Sequence, residues 1–550
     1  MKKILLIAVN SQFIHSNPAV YSLKSFFESN FDKGDVDIVI KEFTVNDVYG
    51  NTVYEIAKER PDAVAFSLYI WNTDVVKKLV ADIKRILPNA VTVMGGPEVL
   101  HELSPLSDFA RQLDYILEGE GELCFSELIN SGKIFEKQAA TAVICPERAL
   151  SPKEIPFIYT DENISLFKNR IVYYESSRGC PFSCAYCLSG GDRLPVRFIP
   201  LEKVYDHIDF FVSHGVSLVK FVDRTFNCNP ERAKSIIKKI ASLPESAATC
   251  FHFEVGADLF DSELISLIKS LKRGRIQIEA GIQSLNEKTL ECSARKCNNK
   301  RLFENLRQLS ESGNVNIHTD LIAGLPLEDL SSFKNSFNGV YSLNSHQLQL
   351  GFLKRLAGAP LCESEEKYGI VYSENAPYEV ISTSSLCYTD VIELKRVEAM
   401  LERYYNSGGF KTSLEMLIKC FPSPYDLYLS LADFCEQRGA LFTSVSRRKA
   451  YDLIFEFSAC YFDEKERNSF AVSLLFDYFS ADKSEIAPES LRFILKEAKP
   501  FKNSDCDLFA IPLPHGYTGY GIREFGNVRY LFDYSKRDSV TGLFNVIARS

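Results

Sequence analysis

The chain has no apolar run approaching the ~20 residues that span a bilayer, and Met-Lys-Lys-Ile-Leu-Leu-Ile-Ala-Val at its start is too short for a secretory signal. That opening reads as a buried first strand, and the expected location is cytoplasmic. There is no internal repeat and no low-complexity tract, so a solenoid or a disordered chain is excluded. Positive charge is in deficit, with 63 Lys and Arg against 72 Asp and Glu and a net charge of −9, which argues against non-specific nucleic-acid binding. Tryptophan occurs once, as Trp71. No G-x-G-x-x-G follows the first strand, which counts against a dinucleotide site.

What is present is a soluble composition, 46% hydrophobic and 25% charged over 550 residues, enough for several domains. Of fifteen cysteines, only Cys180, Cys184 and Cys187 form a tight group, C-x3-C-x2-C, in Gly-Cys-Pro-Phe-Ser-Cys-Ala-Tyr-Cys. Others, such as Cys124, Cys145, Cys250 and Cys460, stand singly in apolar sequence and read as core residues in a reducing compartment. Ile171–Glu175 is β-branched and aromatic and predicts a strand delivering the loop. Three thiolates so close together bind something small and soft. Zinc wants four ligands and none follows nearby, so a zinc site would need a distant fourth. A cubic iron–sulfur cluster held by three cysteines leaves one iron open to a ligand that is not protein.

Residues 1–145 alternate strand and helix, the pattern of a doubly wound α/β domain. Strands are predicted at 3–9, 36–43, 63–68, 90–94 and 115–118, and ligands in such sheets bind beyond the carboxyl ends of the strands. Those ends carry Ser67 and Trp71, Gly95-Gly96-Pro97-Glu98 and Gly119-Glu120-Gly121-Glu122. Residues 146–170, with Pro146, Pro152 and Pro156, read as a linker. From 171 to 370 a second βα series predicts a partial (β/α)6 barrel with its site at the C-terminal rim. Residues 371–550 lose the alternation and predict a mainly helical domain, ending in a Gly-, Tyr- and Arg-rich stretch (517–540) of short strands or loops.

The cysteine loop, with Tyr186 just before the third cysteine, resembles the radical S-adenosylmethionine (SAM) enzymes, in which the open iron of a 4Fe–4S cluster chelates the amino and carboxylate groups of SAM. The succession Glu254, Gln283, Arg295 and Asp320, the last in Asp-Leu-Ile-Ala-Gly-Leu-Pro, is similar to the subfamily that includes the oxygen-independent coproporphyrinogen oxidase. The resemblance implies SAM contacts at those four positions, and at Asp223 and Thr225 where the family holds the SAM amino group. This chain lacks the Gly-Gly-Glu often found there. The other reading of each polar residue is a loop or capping hydrogen bond.

The Gly-Gly-Pro and Gly-Glu-Gly-Glu turns resemble the cobalamin-binding domain that precedes many radical SAM cores, which implies that Ser67, Trp71, Gly95, Gly96, Gly119 and Glu120 face the corrin. The other reading is a flavodoxin-like module with no cofactor, and of Trp71, ordinary burial. None of the eight histidines lies in the D-x-H-x-x-G context that ligates cobalt from below. The C-terminal part resembles an uncharacterised domain accompanying such proteins in anaerobes.

Together these resemblances imply reductive SAM cleavage to a hydrogen-abstracting 5′-deoxyadenosyl radical, an electron donor of flavodoxin or ferredoxin type, and methylation of an unactivated centre in a small-molecule, peptide or lipid substrate. Rearrangement or cyclisation, tRNA methylthiolation, and a non-catalytic cobalamin or redox sensor are the alternatives. Methylthiolation is disfavoured because residues 1–145 hold only Cys124 and Cys145, short of a second cluster. Replacing Cys180, Cys184 and Cys187 together by Ala should abolish both bound iron and visible cluster absorption after anaerobic reconstitution. A full cluster retained by that variant would reject the assignment.

Overall fold

The computed structural model describes residues 1–103, 107–191, 194–484, 486–496, 520–525 and 528–549. They divide into two compact units, one comprising Met1–Ser270, Leu290–Cys297 and Leu353–Thr383, the other Leu271–Thr289, Asn298–Phe352 and Ser384–Ser550.

The first unit opens with β1 (Lys2–Asn10), α1 (Pro18–Asn30), β2 (Val36–Thr44), α2 (Tyr49–Ala57), β3 (Ala63–Ser67), α3 (Thr73–Ile86), β4 (Val91–Gly95), α4 (Val99–Leu103), β5 (Tyr115–Leu117), α5 (Gly121–Asn130) and β6 (Ala142–Ile144). The strands form one parallel sheet in the order β2-β1-β3-β4-β5-β6. Period-2 geometry sends Ile4, Leu6 and Ala8 into one apolar layer with Phe27, Phe125 and Leu128, and Leu5, Ile7 and Val9 into the other with Val76, Leu79 and Ile83. The doubly wound fold is therefore as the alternation predicts. β6 is an addition to the five strands expected, and its three residues are too few for a periodic signal.

The stretch expected to be a linker is docked. Tyr159 is buried and donates to the Tyr173 carbonyl at 2.6 Å, and Phe157 stacks on His207 at 3.8 Å. Arg170 donates to Glu42 and to the carbonyls of Phe13 and His15, closing the loop after β1.

The second βα series begins in the first unit with β7 (Val172–Tyr174), the short β8 (Ser177–Arg178), α6 (Leu188–Gly191), β9 (Arg197–Phe198), α7 (Leu201–Ser213), β10 (Leu218–Phe221), α8 (Pro230–Ala241), β11 (Cys250–Val255) and α9 (Ser262–Ser270). β7, β10 and β11 run parallel, β10 in the centre, while β8 and β9 pair antiparallel. Tyr174 and Phe221 pack with Phe211 of α7 and with Phe253, so this face is the helix-covered one. Tyr173, Lys220 and Glu254, on the opposite face, are only half-buried.

The second unit contributes β12 (Ile276–Gln283), α10 (Glu287–Cys292, which the unit boundary cuts), α11 (Asn299–Ser312), β13 (Asn316–Ala323), α12 (Leu330–Tyr341) and β14 (Gln347–Phe352). Its three strands are parallel, with β13 in the centre.

The small hairpin strands β15 (Val371–Tyr372) and β16 (Val380–Ser382) precede α13 (Tyr388–Met400), α14 (Lys411–Leu417), α15 (Pro424–Gln437), α16 (Arg447–Ser458) and α17 (Glu464–Ala481). These helices enclose a tyrosine-rich core of Tyr404, Tyr425, Tyr428, Tyr451 and Tyr478. Its hydroxyls find partners, as buried tyrosines must: Tyr428 meets Tyr341 at 3.1 Å, and Tyr425 donates to Glu393 at 3.0 Å. The terminal stretch is a four-stranded antiparallel sheet of β17 (Leu495–Lys496), β18 (Tyr520–Phe525), β19 (Val528–Arg537) and β20 (Phe544–Arg549). Residues 517–519 and 526–527 of the segment expected as short strands or loops lie outside the described residues.

Phe125 is wholly buried between α5 and the first sheet. Phe125→Ala should destabilise the first domain by about 3–5 kcal/mol, read as a lower denaturant midpoint followed by circular dichroism.

Candidate functional site

The cysteine loop is a long excursion between β8 and β9. Within it Cys187 N–H donates to the Cys184 carbonyl at 3.1 Å and Gly190 N–H to the Cys187 carbonyl at 3.0 Å, winding the loop tightly. A Cβ on Gly190 would lie 2.1 Å from the Cys184 carbonyl oxygen, so glycine is required there. The loop is held from outside as well: Ala185 N–H donates to the Ser293 carbonyl at 2.8 Å, and Leu361 N–H to the Ala185 carbonyl at 2.7 Å.

Among the described residues, no three His, Cys, Asp or Glu side chains converge on a single metal ion. A cubic cluster does not ask for this, since each thiolate goes to a different iron. The donor set fits such a cluster: three thiols on one loop, Cys184 buried and the other two partly open.

Two of the residues assigned to SAM touch this loop. Arg295 Nη1 lies 3.8 Å from Cys184 Sγ and 3.3 Å from the Tyr186 hydroxyl. Thr225 Oγ1 stands 3.8 Å from Cys180 Sγ and donates to the Arg224 carbonyl. Asp223 is placed behind the loop. It is 1% exposed and accepts from Ser176 Oγ at 2.9 Å and Ser177 Oγ at 2.5 Å, while burial pushes its carboxyl up to about 7. Its partners make it a prop under the strand that launches the loop.

Glu254, at the end of β11, lies 3.5 Å from Lys220 Nζ on β10. In the second unit, Gln283 and Asp320 stand on the paired strands β12 and β13. Gln283 has φ of 72° at a register shift, and its Oε1 is buried with no hydrogen-bond partner among the described residues. A side-chain amide held in a left-handed conformation with an orphaned acceptor is what a ligand-binding strand end offers.

The carboxyl edge of the first sheet carries the remaining expected residues. Ser67 Oγ accepts from Asn17 Nδ2 at 2.9 Å and donates to the Ile7 carbonyl, inside the domain. Trp71 is 47% exposed, so the burial alternative fails. Its indole stacks on Tyr69 at 4.4 Å, and Nε1–H donates to the Val9 carbonyl. Gly96 has φ of 110°, and a Cβ there would lie 2.4 Å from the Leu68 carbonyl, so this glycine is demanded by the neighbouring strand end itself. Gly95 closes β4 and pairs with Leu117.

The Gly119–Glu122 turn spends both carboxylates on arginines. Arg197 forks onto Glu120, and Arg178 donates to Glu122 through Nη1 (3.2 Å) and Nη2 (2.5 Å). The two histidines of the first domain are engaged: His15 Nδ1 is 2.6 Å from the Tyr173 hydroxyl, and His101 stacks on Tyr378 at 4.0 Å.

Arg178, Arg197, Ser176, Ser177 and Asn227 were absent from the sequence-based set. Asn227 is buried and exchanges two hydrogen bonds with the Gly256 backbone, tying the loops after β10 and β11. Only the position of Arg178 directly before Gly-Cys gave a signal in the sequence.

Three family models match successive stretches of the chain: B12 binding domain over residues 4–129, Radical SAM superfamily over 174–338, and Protein of unknown function (DUF4080) over 366–508. The chain thus carries a B12-binding domain followed by a radical SAM domain, and 4Fe–4S, SAM and cobalamin are the cofactors these domains imply.

The cobalamin-dependent radical SAM methyltransferase TokK of Streptomyces tokunonensis is 26% identical over 340 residues, which is 56% of this chain and 50% of TokK. The 2-(S-pantetheinyl)-carbapenam-3-carboxylate methyltransferase of Streptantibioticus cattleyicolor is 25% identical over 323 residues, 52% of this chain and 46% of that enzyme. The chain spans about half the length of these curated relatives.

The cobalamin-dependent SAM radical enzyme OxsB, solved with aqua-cobalamin and SAM, superposes with a TM-score of 0.60 at 13% identity, covering 90% of this chain and 83% of OxsB. TsrM of Kitasatospora setae, solved with cobalamin and a 4Fe–4S cluster, gives 0.53 at 15% identity, covering 67% of this chain and 78% of TsrM. These are likenesses of fold.

Glu98, in the Gly-Gly-Pro-Glu turn, is 5% exposed, and its Oε1 has no hydrogen-bond partner among the described residues. Burial, with Glu102 beside it, pushes its carboxyl up to about 7. A carboxyl whose pKa rises on folding stabilises the native state below its unfolded value, and that stability is lost as pH climbs through 7. Glu98→Gln should therefore flatten the fall in melting temperature between about pH 5 and about pH 8 and be the more stable form at the upper end. Parallel pH profiles for the two proteins would show Glu98 playing no part.

Proposed function

We propose that this protein is a cobalamin-dependent radical SAM enzyme that methylates an unactivated centre of its substrate. The carrying observation is the three-thiol loop with Arg295 seated on Cys184 and Tyr186, in a chain whose preceding domain offers an exposed aromatic stack at the ligand edge of its sheet. Cys180, Cys184 and Cys187 would hold the 4Fe–4S cluster. With the cofactors bound, the chemistry supplied is one-electron cleavage of SAM and delivery of a methyl group from cobalamin.

The residues of the chain position and exclude. Arg295 offers a guanidinium for the SAM carboxylate, fixed beside the loop where the open iron would lie. Thr225 flanks Cys180. Glu254, Gln283 and Asp320 offer acceptors at strand ends for the ribose and adenine. Asp223 holds Ser176 and Ser177 at the start of the cysteine loop. Trp71 and Tyr69 would offer a flat aromatic surface to the cobalamin. Electrons would come from a flavodoxin- or ferredoxin-type donor, and the setting would be the cytoplasm of an anaerobe. Among the described residues no helix is long and apolar enough to cross a membrane.

Arg295→Ala is the direct test of the SAM assignment. Loss of a charge-assisted pair should weaken SAM binding by roughly 1.5–3 kcal/mol, measured by titration of the reconstituted protein, with bound iron unchanged. Formation of 5′-deoxyadenosine should fall in step, and a methyl group labelled in SAM should appear in product only with cobalamin present. Unaltered SAM affinity would refute the role given to Arg295.

A further inference from the structure

β8 and β9 form a two-residue antiparallel ladder in which Arg178 stands opposite Arg197. Everything between them is the cysteine loop, so these two arginines are its two ends. Like charges directly opposite on a ladder repel, and something must compensate. Glu120 does so by contacting both: it accepts from Arg197 and lies 3.5 Å from Arg178. Arg178 is further engaged by Glu122 and, through Nε, by Glu175 at 2.7 Å. Arg197 also donates to the Leu150 carbonyl. The side chains of Arg178 and Arg197 are only 13% and 15% exposed, where forked guanidinium–carboxylate pairs are stiff and directional.

The acids are equally fixed. Glu120 is the N-cap residue of α5 and Glu122 lies in its first turn, where Ser22 Oγ also donates to it at 2.8 Å. Moving either carboxylate means moving α5, whose Phe125 and Leu128 are locked in the core of the first domain. Within the loop, by contrast, the turns are closed by single backbone hydrogen bonds, such as those from Cys187 and Gly190.

We propose that Arg178 and Arg197 are positioning residues for the three cysteine thiolates, clamping both ends of the loop onto Glu120 and Glu122. The cluster's surroundings are then set by a turn of the cobalamin-binding domain, not by the loop alone. This rests on the reading of the cysteine loop as a 4Fe–4S site.

Arg178→Lys keeps the charge but loses the fork, and Glu122→Gln keeps the shape but loses the charge. Each would be reconstituted anaerobically as the full chain and compared with wild type for iron content, the electron spin resonance of the reduced cluster with and without SAM, and KM against kcat for SAM cleavage. Both variants should bind as much iron as wild type. Their reduced-cluster signal should be broadened, its response to SAM diminished, and kcat lowered about tenfold or more with KM little changed, the signature of misplacement. Glu122→Asp, which retains a carboxylate, should recover part of the loss. An Arg178→Ala, Arg197→Ala double variant with wild-type signal and kcat but a lower melting temperature would overturn the proposal. If that double variant does not fold, wild-type behaviour in both Arg178→Lys and Glu122→Gln overturns it equally. Wild-type protein that takes up no iron would refute the cluster reading instead, a separate result.

Discussion

Buried charge compensation at the Gly119–Glu122 turn is the constraint on which the site's architecture depends. Two guanidiniums and three carboxylates gather there, the guanidiniums and Glu122 largely out of water. Removing one member of such a set leaves a neighbour's charge buried and uncompensated, typically a cost of about 3–5 kcal/mol. The arrangement persists because both sides are held by something else: the acids by the start of α5, the arginines by the β8–β9 ladder. A loop built largely of Gly, Ser, Pro and Cys gains from this a definite place relative to the sheet that precedes it.

The same economy appears behind the loop. Asp223 has no room for water, and Ser176 and Ser177 satisfy both of its oxygens while Arg232 donates to the Ser176 carbonyl at 3.1 Å. Strand β7, its outlet and the loop after β10 are thereby joined by polar contacts on the side away from the thiols. On the thiol side lie Thr225, Arg295 and Tyr186. These paired polar groups form a frame beside the loop.

The strands after residue 170 show why the barrel's inner face suits a polar occupant. Inward layers of a closed barrel are ordinarily branched and apolar. Here Val172, Tyr174, Val219, Phe221, Phe251 and Phe253 are buried, while Tyr173, Lys220 and Glu254 are half-buried on the other face. His15, brought from the loop after β1, completes that polar row through Tyr173. A residue of the first domain thus reaches the face of the second strand series.

The sequence by itself determined the two βα series and the cysteine loop, because period-2 burial, glycine turns and thiol spacing are local properties of the chain. It did not disclose β6, too short to show a period, or the helices α15 and α17, buried on so many sides that their amphipathic stripe is lost. The tertiary structure alone decided how individual polar residues are used. Glu120 and Glu122 stand at the carboxyl edge of the first sheet, and the fold brings them Arg178 and Arg197 as partners from far along the chain. It gives Asp223 the hydroxyls of Ser176 and Ser177 and sets the Leu68 carbonyl against Gly96. These pairings have one cause: a side chain's partner is set by what folding brings within hydrogen-bond reach, and sequence spacing carries no record of that.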